Sequence, residues 1–416
     1  MEDKLQWVVK TNNPNIIKVV GVGGGGGNAV NHMYKEGIQD VSFVLCNTDR
    51  QALMKADVPT SVLLGPNITA GLGAGNEPEK AREAAEESIE EVRRMFDDGT
   101  KMVFVTAGMG GGTGTGAAPV VAKVARDMNI LTVGIVTIPF LFEGEPKMLQ
   151  ALRGAESIRA NVDALLVINN ERLREIYPEL TMRNAFKLAD NTLTVAARSI
   201  AEIITLPGII NLDFADVSRV LKNGGGAVMS SGFGEGEDRV KRAIEDALHS
   251  PLLDNKDVVN AKKILFNIYF SEEAELKVDE MDYVTDFMSK FSREIEVIWG
   301  TALDETLGEQ VKITVLATGF GSNNGRSEDI ERGQEDQKLI RRYYGNSAAP
   351  SIGRVIPKPF ILSDEQMDDD ALISLLEEHP AYCRDAGALQ QIKNAMQAKT
   401  ETPQPPASNE GNVIQF

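Results

Sequence analysis

The chain has few cysteine and histidine residues, which cross-link small folds through disulfides or bind metals. Its 416 residues include only two cysteines, Cys46 and Cys383, and only three histidines. Two cysteines cannot build a disulfide framework, so a reducing compartment is expected and the cytoplasm is the predicted location. The Cys and His residues do not have the spacing of a zinc site, and no metal site of the protein's own is predicted.

Long apolar runs are also missing. The longest, ILTVGIVTIPFLF at residues 130–142, is too short to span a bilayer. The first residues, MEDKLQWVVK, have no apolar stretch of the signal-peptide type. We therefore predict no direct membrane insertion.

Positive charge is in deficit, because 43 Lys and Arg face 61 Asp and Glu and give a formal net charge of −18 at pH 7. Proteins that bind nucleic acid need clustered basic residues to neutralise phosphates. No basic patch stands out in this sequence, so no nucleic-acid partner is predicted.

Short β-rich runs alternate with helix-like segments in the first 180 residues. The runs lie at residues 15–22, 41–46, 61–64, 101–106, 131–138 and 163–168. Alternation of this kind predicts a parallel α/β sheet, and continuous apolar runs predict strands covered on both faces. We therefore predict a Rossmann-like domain at residues 15–180.

A different periodicity begins at Thr181. Apolar residues recur at spacings of three and four up to Leu206, which predicts one long amphipathic helix at 181–206. Residues 207–320 mix helical patterns with β-rich runs and predict a smaller α+β domain. The long helix is expected to join the two domains.

The last hundred residues have a weaker pattern. Residues 321–364 hold too little apolar surface to offset chain entropy, so a disordered linker is predicted there. A short amphipathic segment at 365–384 and a variable tail at 385–416 follow.

Two glycine-rich loops carry the main chemical signal. GVGGGGGNAV at 21–30 and AGMGGGTGTGAAPVV at 107–121 each follow a predicted strand and open a predicted helix. Bare backbone N–H groups and the helix dipole favour a phosphate at such a place. The chain contains no GxxxxGK[ST] motif, so neither loop is of the Walker type.

The first loop alone leaves an alternative open. It fits GxGxxG at Gly21, Gly23 and Gly26, and Asp49 ends the next strand as in a dinucleotide fold. A nicotinamide-dependent oxidoreductase would explain these residues. It would leave the second loop unexplained.

Taken together, the motifs resemble the tubulin and FtsZ family of GTPases. GGGTGTG at 110–116 is similar to the family's phosphate loop, and GGGGNAV at 24–30 to its first nucleotide loop. The similarity continues at GLGAG (71–75), PFLFEG (139–144), DFADV (213–217) and SPLL (250–253). It implies a cytoskeletal GTPase of bacterial cell division that assembles head to tail into the filaments of the division ring at mid-cell, and hydrolyses GTP between adjacent subunits.

The resemblance also implies a set of residues that contact GTP or GDP. They are Gly24, Gly25, Gly26, Gly27, Asn28, Gly75, Gly110, Gly111, Gly112, Thr113, Gly114, Thr115, Gly116, Glu143, Lys147, Asn170, Phe186 and Asp190. Phe186 would stack on the base, and Asp190, one turn later, would accept from guanine N1–H and the 2-amino group. Without the resemblance, Phe186 would be interpreted as a core residue and Asp190 as part of a solvated face. Mg²⁺ is expected to bind through the nucleotide's phosphates.

The chain departs from the family pattern near this site. Lys147 stands where arginine is usual, after Glu145 and Pro146 rather than basic residues. A lysine keeps the charge but loses the planar fork of arginine. Ile138 and Leu206 also replace usual basic residues.

The segment NLDFADV at 211–217 carries a second group of candidates, Asn211, Asp213 and Asp216. Spacing alone favours helix N-capping, because Asn and Asp are preferred there. The resemblance implies instead that these residues form the catalytic loop that reaches the next subunit's γ-phosphate. A structural polymer protein that binds GTP without hydrolysing it is the alternative, and the two carboxylates argue against it.

HPAYCR at 379–384 resembles the family's C-terminal peptide, which docks on membrane tethers such as the actin-like FtsA. An amphipathic helix behind a flexible linker suits capture in a partner's groove. A solvated helix with no partner is the alternative.

Overall fold

The structure is a computed structural model, and it describes residues 15–177, 179–248, 261–289, 295–320, 339, 340 and 343. Three sequence predictions lie outside the described residues. They are the SPLL motif at 250–253, the peptide at 365–384 with its HPAYCR motif, and the tail at 385–416.

Six parallel strands form the first part of the sheet, in the order β3-β2-β1-β4-β5-β6. They are β1 (Ile17–Val22), β2 (Val41–Asn47), β3 (Ser61–Leu63), β4 (Met102–Gly108), β5 (Leu131–Ile138) and β6 (Ala164–Asn169). Strands β1 and β5 are buried along their whole length, as expected for strands covered on both faces. The predicted parallel α/β sheet is confirmed.

Helices cover both faces of these strands. They are α1 (Gly23–Glu36), α2 (Arg50–Met54), α3 (Pro66–Thr69), α4 (Pro78–Glu87), α5 (Ile89–Arg94), α6 (Gly112–Asp127), α7 (Glu145–Arg159) and α8 (Asn170–Ile176). Successive residues of β1 face opposite ways, so Val19 joins a core with α1, whereas Val20 joins a second core with α6 and α7.

The predicted long helix is present as α9, Met182–Thr205. The Thr181 hydroxyl caps it by accepting from the Asn184 N–H, and its apolar face, which includes Leu193 and Ile200, packs in the core on the α1 side of the sheet. At ~1.5 Å per residue, its 24 residues span about 36 Å.

The second part of the chain extends the same sheet. It contains α10 (Phe214–Leu221), β7 (Gly225–Gly234), α11 (Arg239–Leu248), β8 (Lys263–Phe270), α12 (Met281–Ser289), β9 (Glu296–Leu303) and β10 (Val311–Phe320). Strand β7 pairs in parallel with β6 through three residue pairs, and the order continues β7-β10-β8-β9. One ten-stranded sheet therefore runs through both predicted domains, which the sequence reading did not anticipate.

Part of the predicted linker is folded. Leu339, Ile340 and Tyr343 are helical and pack against the core that contains α6 and α7, where Ile340 is 5% exposed. At these three residues the prediction of an unpacked linker at 321–364 does not hold. Their spacing places three large side chains on one side of the helix, where Ile340 is buried and Leu339 and Tyr343 are half-buried.

The membrane prediction concerns long apolar helices. Within the described ranges, the helices are all too short or too polar to cross a bilayer.

Candidate functional site

The two glycine-rich loops meet at one edge of the sheet. They follow β1 and β4, which are neighbouring parallel strands with Val22 opposite Ala107. From β1 the chain moves to β2 on one side, and later to β4 on the other side. This is the topological switch point, where open α/β sheets bind ligands beyond the carboxyl ends of their strands.

Several of the loop glycines are required by the contact between the loops themselves. A Cβ added to Gly23 would lie 2.7 Å from the Gly114 nitrogen, and one added to Gly114 would lie 2.5 Å from the Gly108 oxygen. Gly26 is equally confined, since its Cβ would lie 2.2 Å from the Thr106 oxygen. These glycines allow two backbones to approach more closely than any side chain permits.

Other loop glycines face open space. A Cβ added to Gly24, Gly27, Gly75 or Gly111 would meet nothing within 4 Å. The caps of α1 and α6 are Val22 and Gly111, whose side chains cannot accept from the first-turn N–H groups. Uncapped N–H groups beside open space suit an anionic ligand.

The second loop is braced by its own threonines. The Thr113 hydroxyl lies 2.7 Å from that of Thr48, and the buried Thr115 hydroxyl accepts from the Gly110 N–H at 2.9 Å. A Cβ on Gly116 would lie 1.9 Å from the Pro78 oxygen. Thr115 and Gly116 thus stabilise the structure of the loop itself. The motif alone does not separate such residues from residues that are open to a ligand.

Gly25, Asn28 and Gly112 complete the two loops. Gly25 and Asn28 are exposed in the first turns of α1, and a Cβ added to Gly25 would lie 3.1 Å from the Gly108 Cα. Gly112 starts α6, where its Cβ would lie 2.9 Å from the Glu77 nitrogen. It therefore fixes the second loop against the chain that precedes α4.

Glu143 and Lys147 lie beside the second loop and bind each other. Lys147 Nζ donates to Glu143 Oε2 at 2.6 Å, and Glu143 Oε1 accepts from the Phe140 N–H at 2.9 Å. The stem of Lys147 passes 3.0 Å from where a Gly110 Cβ would be. The lysine that replaces the usual arginine is therefore next to the glycine loop, with its ammonium 2.6 Å from a carboxylate.

Asn170 begins α8 at the carboxyl end of β6. It is 5% exposed, and its buried Oδ1 has no hydrogen-bond partner among the described residues. A buried acceptor left unpaired costs roughly 1–3 kcal/mol. A ligand that donates a hydrogen bond would remove this cost.

Sequence reasoning missed two neighbours of Asn170. The Asn169 side chain caps α8 by accepting from the Glu171 N–H at 2.9 Å. Glu171, 4% exposed, accepts from the Leu141 N–H at 3.0 Å and so holds the loop that carries Glu143. Their position at the carboxyl end of β6 is the sequence feature that could have identified them.

Phe186 and Asp190 lie near the start of α9. Phe186 is 40% exposed and packs edge-on against Phe140, with ring centroids 5.3 Å apart. Burial raises the pKa of the Asp190 carboxyl to about 6. Phe186 is therefore not a core residue, and Asp190 is half-buried rather than fully solvated.

The Asp190 carboxylate is also unpaired. Among the described residues, none donates a hydrogen bond to it, although its backbone oxygen accepts from the Thr194 hydroxyl. Nothing within the described fold therefore compensates its desolvation.

Asp213 and Asp216 form a capping box at the start of α10. Asp213 Oδ1 accepts from the Asp216 N–H at 3.0 Å, and Asp216 Oδ2 accepts from the Asp213 N–H at 3.1 Å. Asn211 Oδ1 accepts from the Gly208 N–H at 2.7 Å. The capping interpretation is confirmed, and each carboxylate keeps an oxygen outside the box.

This carboxylate loop, residues 207–216, is not at the glycine-loop edge. After α10 the Asn223 N–H donates to Asp163 Oδ1 at 3.4 Å, and Asp163 comes just before β6. The loop therefore leads to the amino ends of the parallel strands, whereas the glycine loops lie at the carboxyl ends. Two exposed apolar residues, Ile209 and Ile210, lie within it.

The acid of the dinucleotide alternative has a structural role. Asp49 Oδ1 accepts from the N–H groups of Gln51 and Ala52 at 2.8 and 3.3 Å, and so caps α2. This capping role accounts for an aspartate after β2 without a bound ribose.

Comparison with known proteins first defines the class. Residues 16–178 match the GTPase domain of the Tubulin/FtsZ family, and residues 225–321 match the C-terminal domain of the FtsZ family. The α/β sheet and the loops at its switch point are thus those of a guanine-nucleotide-binding protein.

Individual relatives narrow this class. The chain is 52% identical over 416 residues to the cell division protein FtsZ of Porphyromonas gingivalis, covering 95% of this chain and 91% of the relative. A solved FtsZ dimer from M. jannaschii is 41% identical, with a TM-score of 0.67, over 73% of this chain and 88% of that one. CetZ2 from Haloferax volcanii, in a GTPγS-bound protofilament, is 20% identical with a TM-score of 0.63 over 80% and 99% of the two chains, which extends the likeness of fold.

This chain belongs to the FtsZ branch of the tubulin/FtsZ family. It is a cytoskeletal GTPase of cell division, and it binds guanine nucleotides.

Proposed function

We propose that GTP binds at the carboxyl edge of the sheet, in contact with the predicted residues of the two glycine loops and with Glu143, Lys147, Asn170, Phe186 and Asp190. The observation that carries this proposal is that the two glycine loops meet at the switch point between β1 and β4, with Lys147 packed against Gly110. Open space over Gly24, Gly27 and Gly111, beside two uncapped helix N-termini, gives the phosphates room and donors.

Base selection is assigned to Asp190 and Phe186. Guanine offers two donors, N1–H and the 2-amino group, and the carboxylate of Asp190 has two oxygens without a partner. Adenine has an acceptor at N1 and no 2-amino group. The exposed ring of Phe186 provides a surface on which a base can stack.

Hydrolysis is assigned to the contact between two subunits. A head-to-tail filament would bring Asn211, Asp213 and Asp216 of one subunit to the nucleotide of the next. Such a heterologous contact repeats without closing. There the carboxylates would position a water whose oxygen bonds to the γ-phosphorus as the bond to the β–γ bridging oxygen breaks, which leaves GDP and phosphate.

The distance between the glycine loops and the carboxylate loop within one subunit supports a site shared by two subunits. Phe186, near the start of α9, packs on Phe140 beside the glycine loops, whereas the carboxylate loop follows the other end of the same helix, about 29 Å from Phe186. The loop then connects through α10 to the amino ends of the parallel strands. One subunit's carboxylates are therefore remote from its own phosphates.

Magnesium is proposed to bind through the oxygens of the β- and γ-phosphates, where it would neutralise charge. In the part of the chain that the structure describes, no cluster of three or more acidic, His or Cys side chains could hold a metal. The protein's contribution would be the donors of the two glycine loops.

The remaining assignments follow from the family. We propose that the protein acts in the cytoplasm at the mid-cell division ring, and that residues 379–384 dock on a membrane tether such as FtsA. We also propose the domain limits 15–180, 181–206 and 207–320. The ring assignment is supported by the 52% identity to a cell division protein.

The test is GTPase activity per molecule at increasing protein concentration. Activity should collapse on dilution below the assembly threshold, because the site is shared. Constant activity far below that threshold would show that the site is complete within one subunit.

A mixing experiment sharpens this test. Asp213→Ala is mixed with Gly111→Val, whose added side chain enters open space at an extended backbone and so should block phosphates without disturbing the fold. Each variant should be inactive alone, and the mixture should recover activity because Gly111→Val keeps its carboxylates. Recovery no greater than the sum of the two would contradict the shared site, provided that the two variants co-sediment.

The oxidoreductase alternative is tested by thermal shift. GTP should raise the melting temperature and NAD should not.

A further inference from the structure

A short segment beyond β10 returns to the nucleotide-binding part of the fold. Leu339, Ile340 and Tyr343 lie at helical spacings of three and four, so their side chains share one face. That face packs on the core formed with α6 and α7, and Ile340 is as buried as residues of the core itself. We call Leu339, Ile340 and Tyr343 together the docking segment.

Polar contacts fix the segment on α7. The Tyr343 hydroxyl accepts from Arg159 Nη2 at 2.8 Å and donates to Glu156 Oε1 at 2.7 Å. Both partners lie in the last turn of α7. A hydroxyl that donates and accepts at once is held in one orientation, which apolar packing alone does not require.

A third contact links the segment to the candidate nucleotide site. Asn169 Nδ2 donates to the Tyr343 backbone oxygen at 2.8 Å, and Asn169 Oδ1 accepts from the Glu171 N–H at 2.9 Å. The same amide therefore holds the docking segment with one end and caps α8 with the other. Asn170, with its unpaired Oδ1, is the next residue along the chain.

The hydrogen bonds that start at Tyr343 continue to the loop that carries Glu143. Glu171 accepts from the Leu141 N–H at 3.0 Å, so the cap of α8 and the loop at 139–144 are joined by hydrogen bonds. Asn170 and Glu171 are buried, whereas Asn169, Leu141 and Tyr343 are half-buried. A shift of Asn169 would move both Asn170 and Glu171.

We propose that the docking segment is a positioning element for nucleotide binding: Tyr343 orients Asn169, and Asn169 sets the position of Asn170 and Glu171. This inference rests on the proposed function, because it requires the nucleotide to lie beside Asn170. Linkage then makes the effect reciprocal, so that bound nucleotide holds the docking segment more firmly on α7.

The main variants separate this role from ordinary packing. Tyr343→Phe keeps the ring but removes both hydroxyl contacts. Asn169→Asp keeps an oxygen that caps α8 but has no N–H to donate to the Tyr343 oxygen. Tyr177→Phe is the matched control, since Tyr177 is 50% exposed and follows the end of α8.

Nucleotide affinity is measured on the full chain below its assembly threshold, with GDP as the probe. Asn169→Asp and Tyr343→Phe should each weaken GDP binding, by on the order of fivefold, the lower end of typical coupling between sites. The double variant should lose little more than either one, because both act on one contact path. Tyr177→Phe should bind GDP as the unmodified chain does.

Hydrogen exchange gives a second readout, which a purely structural role would not move. GDP should slow amide exchange in the docking segment of the unmodified chain, and Asn169→Asp should abolish that slowing. Circular dichroism checks that each variant is folded. If Tyr343→Phe fails to fold, the exchange response of the unmodified chain and Asn169→Asp still decide the question.

Two results would overturn the inference: unchanged GDP affinity in both variants, or exchange in the docking segment that ignores GDP. Failure of the proposed function has a different signature. In that case Asp190→Ala would leave GDP affinity unchanged, whatever the docking segment does.

Discussion

The two candidate halves of the active site are built in opposite ways. At the glycine-loop edge, polar groups have no partner within the part of the chain that the structure describes: Asn170 Oδ1 is buried and unpaired, the Asp190 carboxylate is partly desolvated, and two helices begin without side-chain caps. In the carboxylate loop, the Asp213 and Asp216 side chains each accept from the other residue's N–H group. The first half is built to receive hydrogen bonds from a ligand, whereas the second makes its hydrogen bonds within its own loop.

This contrast predicts where mutations act. Changes at the glycine-loop edge should alter the affinity for nucleotide. Changes in the carboxylate loop should alter the rate of hydrolysis and leave affinity intact.

The largest effect is expected at Asp213. Asp213→Ala should bind GTP and assemble, but should hydrolyse GTP roughly 100-fold to 1,000-fold more slowly, the usual cost of removing a group that stabilises a transition state. Steady-state phosphate release from assembled protein measures this. Loss of GTP binding in the monomer would contradict the separation of the two halves.

Asp213→Asn is the matched control, because asparagine caps helices as well as aspartate does but carries no charge. Equal loss of hydrolysis in Asp213→Asn and Asp213→Ala would identify the carboxylate as the active group. Full activity in Asp213→Asn would mean that only the cap matters.

A smaller effect is expected from Asp190→Ala, which strands two donors of the base. Each buried unpaired donor costs ~1–3 kcal/mol, so GTP affinity should fall by at least about tenfold while ATP affinity changes little. A competition assay with both nucleotides measures the ratio. An unchanged ratio would remove Asp190 from the base pocket.

Asp190 also predicts a change in stability that depends on pH. Its pKa is raised from 3.8 to about 6 by burial, so the folded state holds a proton that the unfolded state releases. The carboxyl therefore destabilises the fold increasingly between about pH 4 and pH 6, and fully above pH 6. Asp190→Asn should raise the melting temperature of the nucleotide-free protein by a few degrees at pH 7.5, and by little at pH 4.

The opposite result would be informative. If Asp190→Asn lowers the melting temperature at pH 7.5, the Asp190 carboxylate has a stabilising partner. The glycine-loop edge would then differ less from the carboxylate loop in its unpaired polar groups.

The smallest effect is expected from deleting residues 379–384. Neither half of the proposed site includes them, and the sequence predicts a flexible linker before them. GTPase activity and assembly should match those of the full chain, whereas binding to a membrane tether should be lost. Light scattering that shows no assembly would mean that the assembly core extends into this peptide.

Much of the fold followed from local patterns in the sequence. Strands β1 to β6 and helix α9 match their predicted ranges within two residues, because continuous apolar runs and a spacing of three and four are properties of single segments. The pairing of β6 with β7 was not predictable in this way. It joins Ala164 to Gly225, 61 residues apart, and no local pattern specifies that contact.

The site shows the same limit. Motifs located the glycine loops, but they could not tell Gly114, which is required by backbone packing, from Gly111, which faces open space. Asn169 was missed because its importance comes from Tyr343, 174 residues away. Sequence patterns identify residues near a ligand more readily than residues that hold those residues in place.

The junction between β6 and β7 has a mechanical consequence. Only three residue pairs join these strands, compared with six between β5 and β6 and nine between β7 and β10. The resistance of a sheet to shear grows with the number of hydrogen bonds that share the load. A force transmitted through a chain of subunits would therefore strain the sheet most at the pairing of β6 with β7. We expect these two strands to separate before either half of the sheet deforms.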